Sequence, residues 1–492
     1  MEIDSPPVRD GRTHPQRDVA LENSPLCVDL DGTLIQSDTL FESVVALLRQ
    51  WDALLRMPYW LMHGKARLKK ELAERAALDP ALLPYCTELL SYLQDQKNRG
   101  RRLVLATAAD QLIAQGVARH VGVFDEVIAS DGTTNRRGQA KAEALCVRFG
   151  KGQFSYAGNG RADVPIWRSA GSAVLVNVSP GVARAVQKAT KLEHRIDRRP
   201  SRLRALLRAF RPYQWSKNVL VFVPILTSNA LAERQGWLYA GLMFVAFCAV
   251  ASALYLVNDL TDLSADRRHP RKRERPFASG ALPLITGLGL IPALILLGGA
   301  AAFASGAPLF VFLYALLSLS YSLKLKEMPL VDLFTLAALY TLRLFAGGQA
   351  SGHPVSLWLL AFSSFLFLSL VSIKRVAELG GMVREGILRT ARRGYGVDDA
   401  GLLVAMGMGA SFASSVVLAL YVQSEVTVLH YARPLVLWAI VPLMLFWQCR
   451  LWLSTARGYM RDDPIVYAAH DWVSWLVGAA LMGTLLLARL PV

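Results

Sequence analysis

The chain has 492 residues, 53% hydrophobic and 19% charged, with a net charge of +16 and a mean hydropathy of +0.31. That length holds two or three domains, and so apolar an average beside so much charge excludes a single uniform soluble domain. Nucleic acid is not the expected partner either, because the basic residues fall in short loops between apolar runs.

Residues 1–24 are polar, lack the apolar core of a secretory signal and read as disordered, so the head that follows is expected in the cytoplasm. "LCVDLDGTLI" (26–35) reads as a buried parallel strand ending in a turn. Residues 40–98 are helical in pattern. Strands are predicted at 101–110, 124–130, 154–160 and 172–179, several of them separated by helical patterns. This alternation specifies an α/β domain with a mainly parallel sheet over 25–186, followed by a basic linker at 187–211. Cys27, Cys86, Cys146, Cys248 and Cys449 have neither metal-ligand nor redox spacing and read as reduced.

Residues 212–492 predict an all-α polytopic membrane bundle, a lipid bilayer being its first partner. About nine spans are expected, at 216–232, 237–258, 281–304, 307–322, 329–347, 355–373, 400–422, 432–450 and 471–489, the first interrupted by Pro224. Basic residues concentrate after the even-numbered spans: Arg267 to Arg275, Lys324 and Lys326, Lys374 to Arg393, and Arg457 with Arg461. The alternate loops hold little more than Arg234 and Arg433. Even-numbered loops therefore face the cytoplasm, the side independently expected for the head.

"NDLTDLSADRRHPRKRERP" (258–276) follows one such span. On a helix Asn258, Asp262 and Asp266 share a face, with Asp259 beside it. Carboxylates so close repel unless a cation sits among them, and oxygen-only ligands select Mg²⁺, which completes its shell with phosphate oxygens. The basic run that follows supplies cations for phosphate. The stretch thus reads as a Mg²⁺–diphosphate site at the cytoplasmic membrane face.

This stretch matches the N-D-x-x-D-x-x-x-D motif of the UbiA superfamily of intramembrane prenyltransferases, which the chain resembles over about 205–492. "RPYQWSKNVLVFVPIL" (211–226), "YSLKLKEMPLVDLFTLAALYTLRLFAGG" (321–348) and "IKRVAEL" (373–379) resemble the polyprenyl-phosphate phosphoribosyltransferase branch. The second aspartate motif is incomplete: Asp332 is present, but position 336 is Leu336. The resemblance implies that phosphoribosyl diphosphate binds through Mg²⁺ held by Asp259, Asp262, Asp266 and Asp332, with Asn258 orienting the cluster. Arg267, Lys272, Arg273 or Lys326 would neutralise phosphate charge. The phosphate of a polyprenyl phosphate lipid would then attack the anomeric carbon, with Lys217 and Arg343 as its candidate partners. Arg343 falls within a span, where a charge is costly and functional by default. Lys374 and Arg375 end another span and fit interface anchors equally well.

In the head, "VDLDGTL" (28–34) places Asp29 and Asp31 one residue apart at a strand end, aimed the same way. One carboxylate there can attack phosphorus while the other handles the leaving-group proton. The stretch resembles the haloacid dehalogenase superfamily over about 24–185. That resemblance implies phosphate-binding Thr107, charge-stabilising Lys141, metal-site Asn159 and Asp163, and a helical cap at 40–98. Asn159 stands where an acid is usual, which removes one charge from the metal site. The fusion implies that the head removes the 5-phosphate of the transferase product. The competing expectations are prenyl transfer from an isoprenoid diphosphate to an aromatic acceptor, and a non-catalytic scaffold or transporter with an inactive head. An oligomer is compatible with all three.

Overall fold

The computed structural model describes residues 24–48, 50–197, 201–228, 231–384, 394–425, 427, 431–460 and 463–490. The disorder expected for the N-terminus, and Arg389, Arg392, Arg393 and Arg461 of the basic loops, lie outside them. The chain divides into two compact units, one of residues 1–209 with 259–288, the other of 210–258 with 289–492. The acidic stretch from Asp259 onward thus groups with the head.

The first unit is built on six parallel strands: β1 (Leu26–Val28), β2 (Leu103–Asp110), β3 (Glu126–Ser130), β4 (Ser155–Gly158), β5 (Ser172–Val176) and β6 (Lys191–Ile196). Their order is β3-β2-β1-β4-β5-β6. Alternation along the strands feeds two cores. Leu26 and Val28 of β1 join Leu103 and Leu105 on one face, while Cys27 joins Val104 and Ala106 on the other. β1 is shorter than predicted because the chain turns at Gly32, whose φ of +71° suits a residue without Cβ. Helices Thr39–Ala46, Trp51–Met62 and Lys65–Ala76 occupy the predicted cap region. They carry their own small core of Leu47, Ala53, Trp60 and Leu72.

β6 lies where a linker was expected. "KLEHRI" is polar because an edge strand is largely solvated, so its pattern carries no apolar signal. Its Glu193 anchors it: Arg101 donates to both carboxylate oxygens, and Tyr92 Oη donates to Oε1 at 2.7 Å. Burial alone would push this carboxyl up, but hydrogen bonds from Arg101 and Ser172 outweigh it and hold it at about 2. The folded value lies below an unfolded value of about 4.3, so the stabilisation is complete above that pH and is lost as pH falls toward 2. Glu193→Gln leaves Arg101 buried without its partner and is expected to cost on the order of 3 kcal/mol. Melts followed by circular dichroism should show a lower Tm at neutral pH and a gap from wild type that narrows on acidification.

The second unit is helical. Among the described residues, seven helices are long and apolar enough to cross a membrane: Arg234–Thr261, Leu284–Ala304, Val331–Ser351, Leu357–Arg384, Val397–Val422, Pro434–Ala456 and Trp472–Arg489. The first and second run across the boundary between the units. The span expected at 307–322 is a shorter apolar helix, Pro308–Leu323. The span expected at 216–232 is not one α-helix but a 3₁₀ stretch, Pro212–Phe222, followed by the short helix Val223–Thr227. Gly347 permits its packing, since a Cβ there would lie 2.0 Å from the Val221 carbonyl oxygen. Leu296, Phe303, Phe312 and Trp475 are exposed, as side chains against lipid must be.

Candidate functional site

In the head, Val28 pairs with Leu105 of β2 and Ala157 of β4, so Asp29 emerges at the carboxyl end of the central strand. That is where strand order reverses and a crevice opens in such sheets. Asp29, Asp31, Lys141, Asn159 and Asp163 line one cavity of about 860 Å³. Lys141 Nζ donates to Asp29 Oδ1 at 2.7 Å and to Tyr156 Oη at 3.0 Å. Tyr156 Oη donates to Asp163 Oδ1 at 3.1 Å, and the amides of Asn159 and Gly160 donate to Asp163 Oδ2. Thr39 N donates to Asp31 Oδ1 at 2.8 Å. Thr107 is fully buried, and its Oγ1 accepts from the Ala109 amide.

Burial pushes Asp29 up to about 6 against the pull of Lys141, and pushes Asp31 up to about 7 with Asp38 adding to it. Near neutrality the first is mainly ionised and the second keeps a share of its proton, the division that a nucleophile and a general acid require. Asn159 packs onto the turn: a Cβ on Gly32 would meet its Nδ2 at 2.0 Å. The four oxygen donors fit a Mg²⁺ ion, since two carboxylates whose proton affinity burial has raised gain from a cation. Among the described residues no three His, Cys, Asp or Glu side chains already form a metal cluster.

The acidic stretch is bent. The helix Arg234–Thr261 ends at Asp262, with φ −101° and ψ 13°, before a short helix Leu263–Arg268, so the single helical face expected for 258, 262 and 266 is interrupted. Asp259 and Asp266 nevertheless converge: Arg275 Nη1 donates to Asp259 Oδ1 at 3.1 Å and Asp266 Oδ2 at 2.7 Å. Both carboxylates are buried, and Asp262 is half-buried. One guanidinium nitrogen thus sits where the paired carboxylates call for a cation, and the all-oxygen set fits Mg²⁺. Arg267, expected to meet phosphate, donates to both carboxylate oxygens of Glu42, at 2.9 and 2.6 Å, and to the Ala278 carbonyl. Lys272 and Arg273 are exposed on a 3₁₀ turn, Lys272–Glu274.

In the second unit, Asn258 Nδ2 donates to Ser322 Oγ at 3.2 Å, and Lys326 is half-buried on the turn Leu325–Glu327. Asp332 is fully buried and accepts from Arg375 at 2.5 Å and from Tyr395 Oη at 2.9 Å. Arg375, itself buried, is therefore more than an interface anchor. Arg343 does not reach for the interface either. It is buried, donates to Asn218 Oδ1 at 2.8 Å and lies 4.7 Å over the Tyr314 ring. Lys217 meets Asp463 at 2.7 Å, and Lys374 meets the same oxygen at 3.3 Å. Tyr340 Oη donates to that carboxylate as well.

Sequence reading missed Asp463, Arg275 and Glu42. Asp463 precedes Pro464 and does cap the helix Pro464–His470, so its sequence signal is that of an ordinary cap. Arg275 was visible only as one more cation in a basic run.

Comparison with known proteins bears on both units. The model of the UbiA prenyltransferase family matches residues 221–467, and that of haloacid dehalogenase-like hydrolases matches residues 26–168. The uncharacterized protein y4nM of Sinorhizobium fredii is 35% identical over 473 residues, 94% of this chain and 91% of that protein. The nodulation protein NoeC of Azorhizobium caulinodans is 40% identical over 280 residues, 56% of this chain and 90% of that protein. A decaprenyl-phosphate phosphoribosyltransferase of Corynebacterium glutamicum is 38% identical over 198 residues, 39% of this chain and 60% of that protein. A solved UbiA homolog from Archaeoglobus fulgidus bound to GPP and Mg²⁺ matches with a TM-score of 0.45 and 17% identity, over 58% of this chain and 99% of that one.

Proposed function

Because the chain belongs to the UbiA prenyltransferase family and carries a haloacid dehalogenase-like hydrolase domain, we propose that it transfers 5-phosphoribose from phosphoribosyl diphosphate to a polyprenyl phosphate, and that its head then removes the 5-phosphate. The observation that carries the transfer is the convergence of Asp259 and Asp266 on one cation. Relatives named decaprenyl-phosphate phosphoribosyltransferase support the choice of donor and acceptor. The site would work at the cytoplasmic face of a bacterial inner membrane.

Asp259, Asp262 and Asp266 would hold Mg²⁺. Bound there, the ion supplies Lewis-acid stabilisation of the departing diphosphate. Asp332 holds the buried Arg375 and accepts from Tyr395. Lys272 and Arg273, exposed on their turn, would neutralise phosphate charge. Lys217 and Lys374, half-buried on Asp463, and the buried Arg343 on Asn218 are the cations suited to the phosphate of the lipid. A lipid phosphate oxygen bonds to the anomeric carbon as the bond from that carbon to diphosphate breaks.

In the head, Asp29 attacks the 5-phosphorus and the bond to the sugar oxygen breaks. Asp31 gives its proton to that oxygen, and water then cleaves the aspartyl phosphate. Lys141 and Thr107 would hold the phosphoryl oxygens. Asn159 and Asp163 would hold Mg²⁺ with the two nucleophile-motif aspartates, the ion offsetting phosphoryl charge.

Purified protein in detergent, Mg²⁺, polyprenyl phosphate and labelled phosphoribosyl diphosphate provide the test. Label should enter the lipid phase and be lost in Asp262→Asn. Label that stays in water, while an isoprenoid diphosphate prenylates an aromatic acid, would overturn the proposal.

A further inference from the structure

The head's cavity holds more cations than one phosphoryl group needs. Lys141 and the acid cluster occupy its floor. Lys65, Lys69, Arg137 and Arg202 also line it, and beyond the floor Asp38 is the one carboxylate lining residue that answers them. Asp38 is engaged as a helix cap, accepting from the Leu40 amide at 2.9 Å. Among the described residues, Lys65 and Arg137 form no salt bridge with a carboxylate. Lys69, on the cap helix Lys65–Ala76, is fixed by the Ala108 carbonyl at 2.6 Å and Asn135 Oδ1 at 3.3 Å. That places its ammonium against the carboxyl half of β2, one residue past Thr107. Ser37 lines the same cavity. It is buried, and its Oγ has no hydrogen-bond partner among the described residues, an orphan that a ligand oxygen would satisfy. The remaining wall includes Leu40, Phe41, Leu61, Leu68, Leu284 and Ile285, so it is apolar beside the cations.

We propose that Lys65, Lys69 and Arg137 form a second anion subsite, so that the head's substrate carries a second phosphate besides the monoester that Asp29 attacks. The volume of about 860 Å³ admits a sugar bearing two phosphates, and the apolar wall takes the first part of a hydrocarbon chain. A phosphomonoester on a sugar joined to lipid through a phosphodiester satisfies all three features. Small monophosphates satisfy only the floor. The subsite rests on the head being a phosphatase, and it adds which substrates the phosphatase prefers and which residues choose them.

The test separates the two. Ribose 5-phosphate and ribose 1,5-bisphosphate are titrated calorimetrically, with Mg²⁺, into the full chain bearing Asp29→Asn, which does not consume them. The bisphosphate should bind at least about tenfold tighter, as one further phosphate on two or three cations implies. Lys65→Ala with Lys69→Ala should bring the ratio of the two affinities close to one, and Lys65→Arg with Lys69→Arg should restore it. Equal binding before mutation, or a ratio that the alanine pair leaves intact, overturns the subsite. Phosphate release by the unmutated head is measured apart. Its absence would remove the phosphatase reading while the binding ratio still decided the subsite.

Discussion

Asp266→Asn is expected to lower transfer of labelled phosphoribose to lipid by about 1,000-fold, the scale of losing one preorganised electrostatic contact to a leaving group. The substitution is nearly isosteric and leaves Asp259 to hold Arg275, so the loop keeps a reason to fold as it does. What disappears is one of two buried charges meeting at a single point. Arg275→Gln gives the opposite handle. If the guanidinium occupies the place of a cation, removing it leaves two carboxylates facing each other. The half-saturating Mg²⁺ concentration for transfer should then fall, by about threefold. Transfer rates measured against Mg²⁺ concentration for the two variants check both. Equal rates for Asp266→Asn and wild type would detach the acidic stretch from the chemistry.

How much of this was legible beforehand varies with the kind of signal. The head was readable because a central parallel strand is buried on both faces and must be continuously apolar, as Leu26 to Val28 are. β6 was not, since its stability comes from Glu193 and Arg101, partners far apart in sequence. The long spans announced themselves through hydropathy, whereas the 3₁₀ segment at Pro212–Phe222 read as a helix because its side chains are apolar enough for one. What distinguishes it is the glycine opposite, Gly347, which no local pattern connects to Val221.

The candidate sites show the same division. Motif spacing picked out Asp29 with Asp31 and Asp259 with Asp266 as candidates, because the members of each pair lie close together in the chain. Of the groups that neutralise them, Lys141 came only through the family resemblance, and Arg275 was not singled out. Arg275 is nine residues past Asp266, Lys141 is 112 past Asp29, and Arg375 is 43 past Asp332. Lys217 and Lys374 were visible as charges near span ends, but the carboxylate that collects them, Asp463, carried only the signature of a cap. Arg267 shows the converse: a cation in a phosphate-like context whose folded partner is Glu42.

Asp29→Asn should abolish phosphate release by the head, on the order of 10,000-fold or more, because an amide cannot form the aspartyl phosphate. Its oxygen can still accept from Lys141, which is why the cavity should survive the change. The lipid product should then accumulate with its 5-phosphate in place, and mass spectrometry of the lipid phase would show it. Asp31→Asn separates the roles of the two acids. Its effect should be large on an alkyl phosphate, whose leaving oxygen needs a proton, and small on p-nitrophenyl phosphate, whose leaving group departs as the anion. Tethering sharpens the first result. A head in the same chain as the transferase sees product at an effective concentration set by the linkage rather than by the bulk, so wild-type protein should release little 5-phosphorylated lipid even when dilute. If that lipid leaves wild type and Asp29→Asn in equal amounts, the head acts on something else.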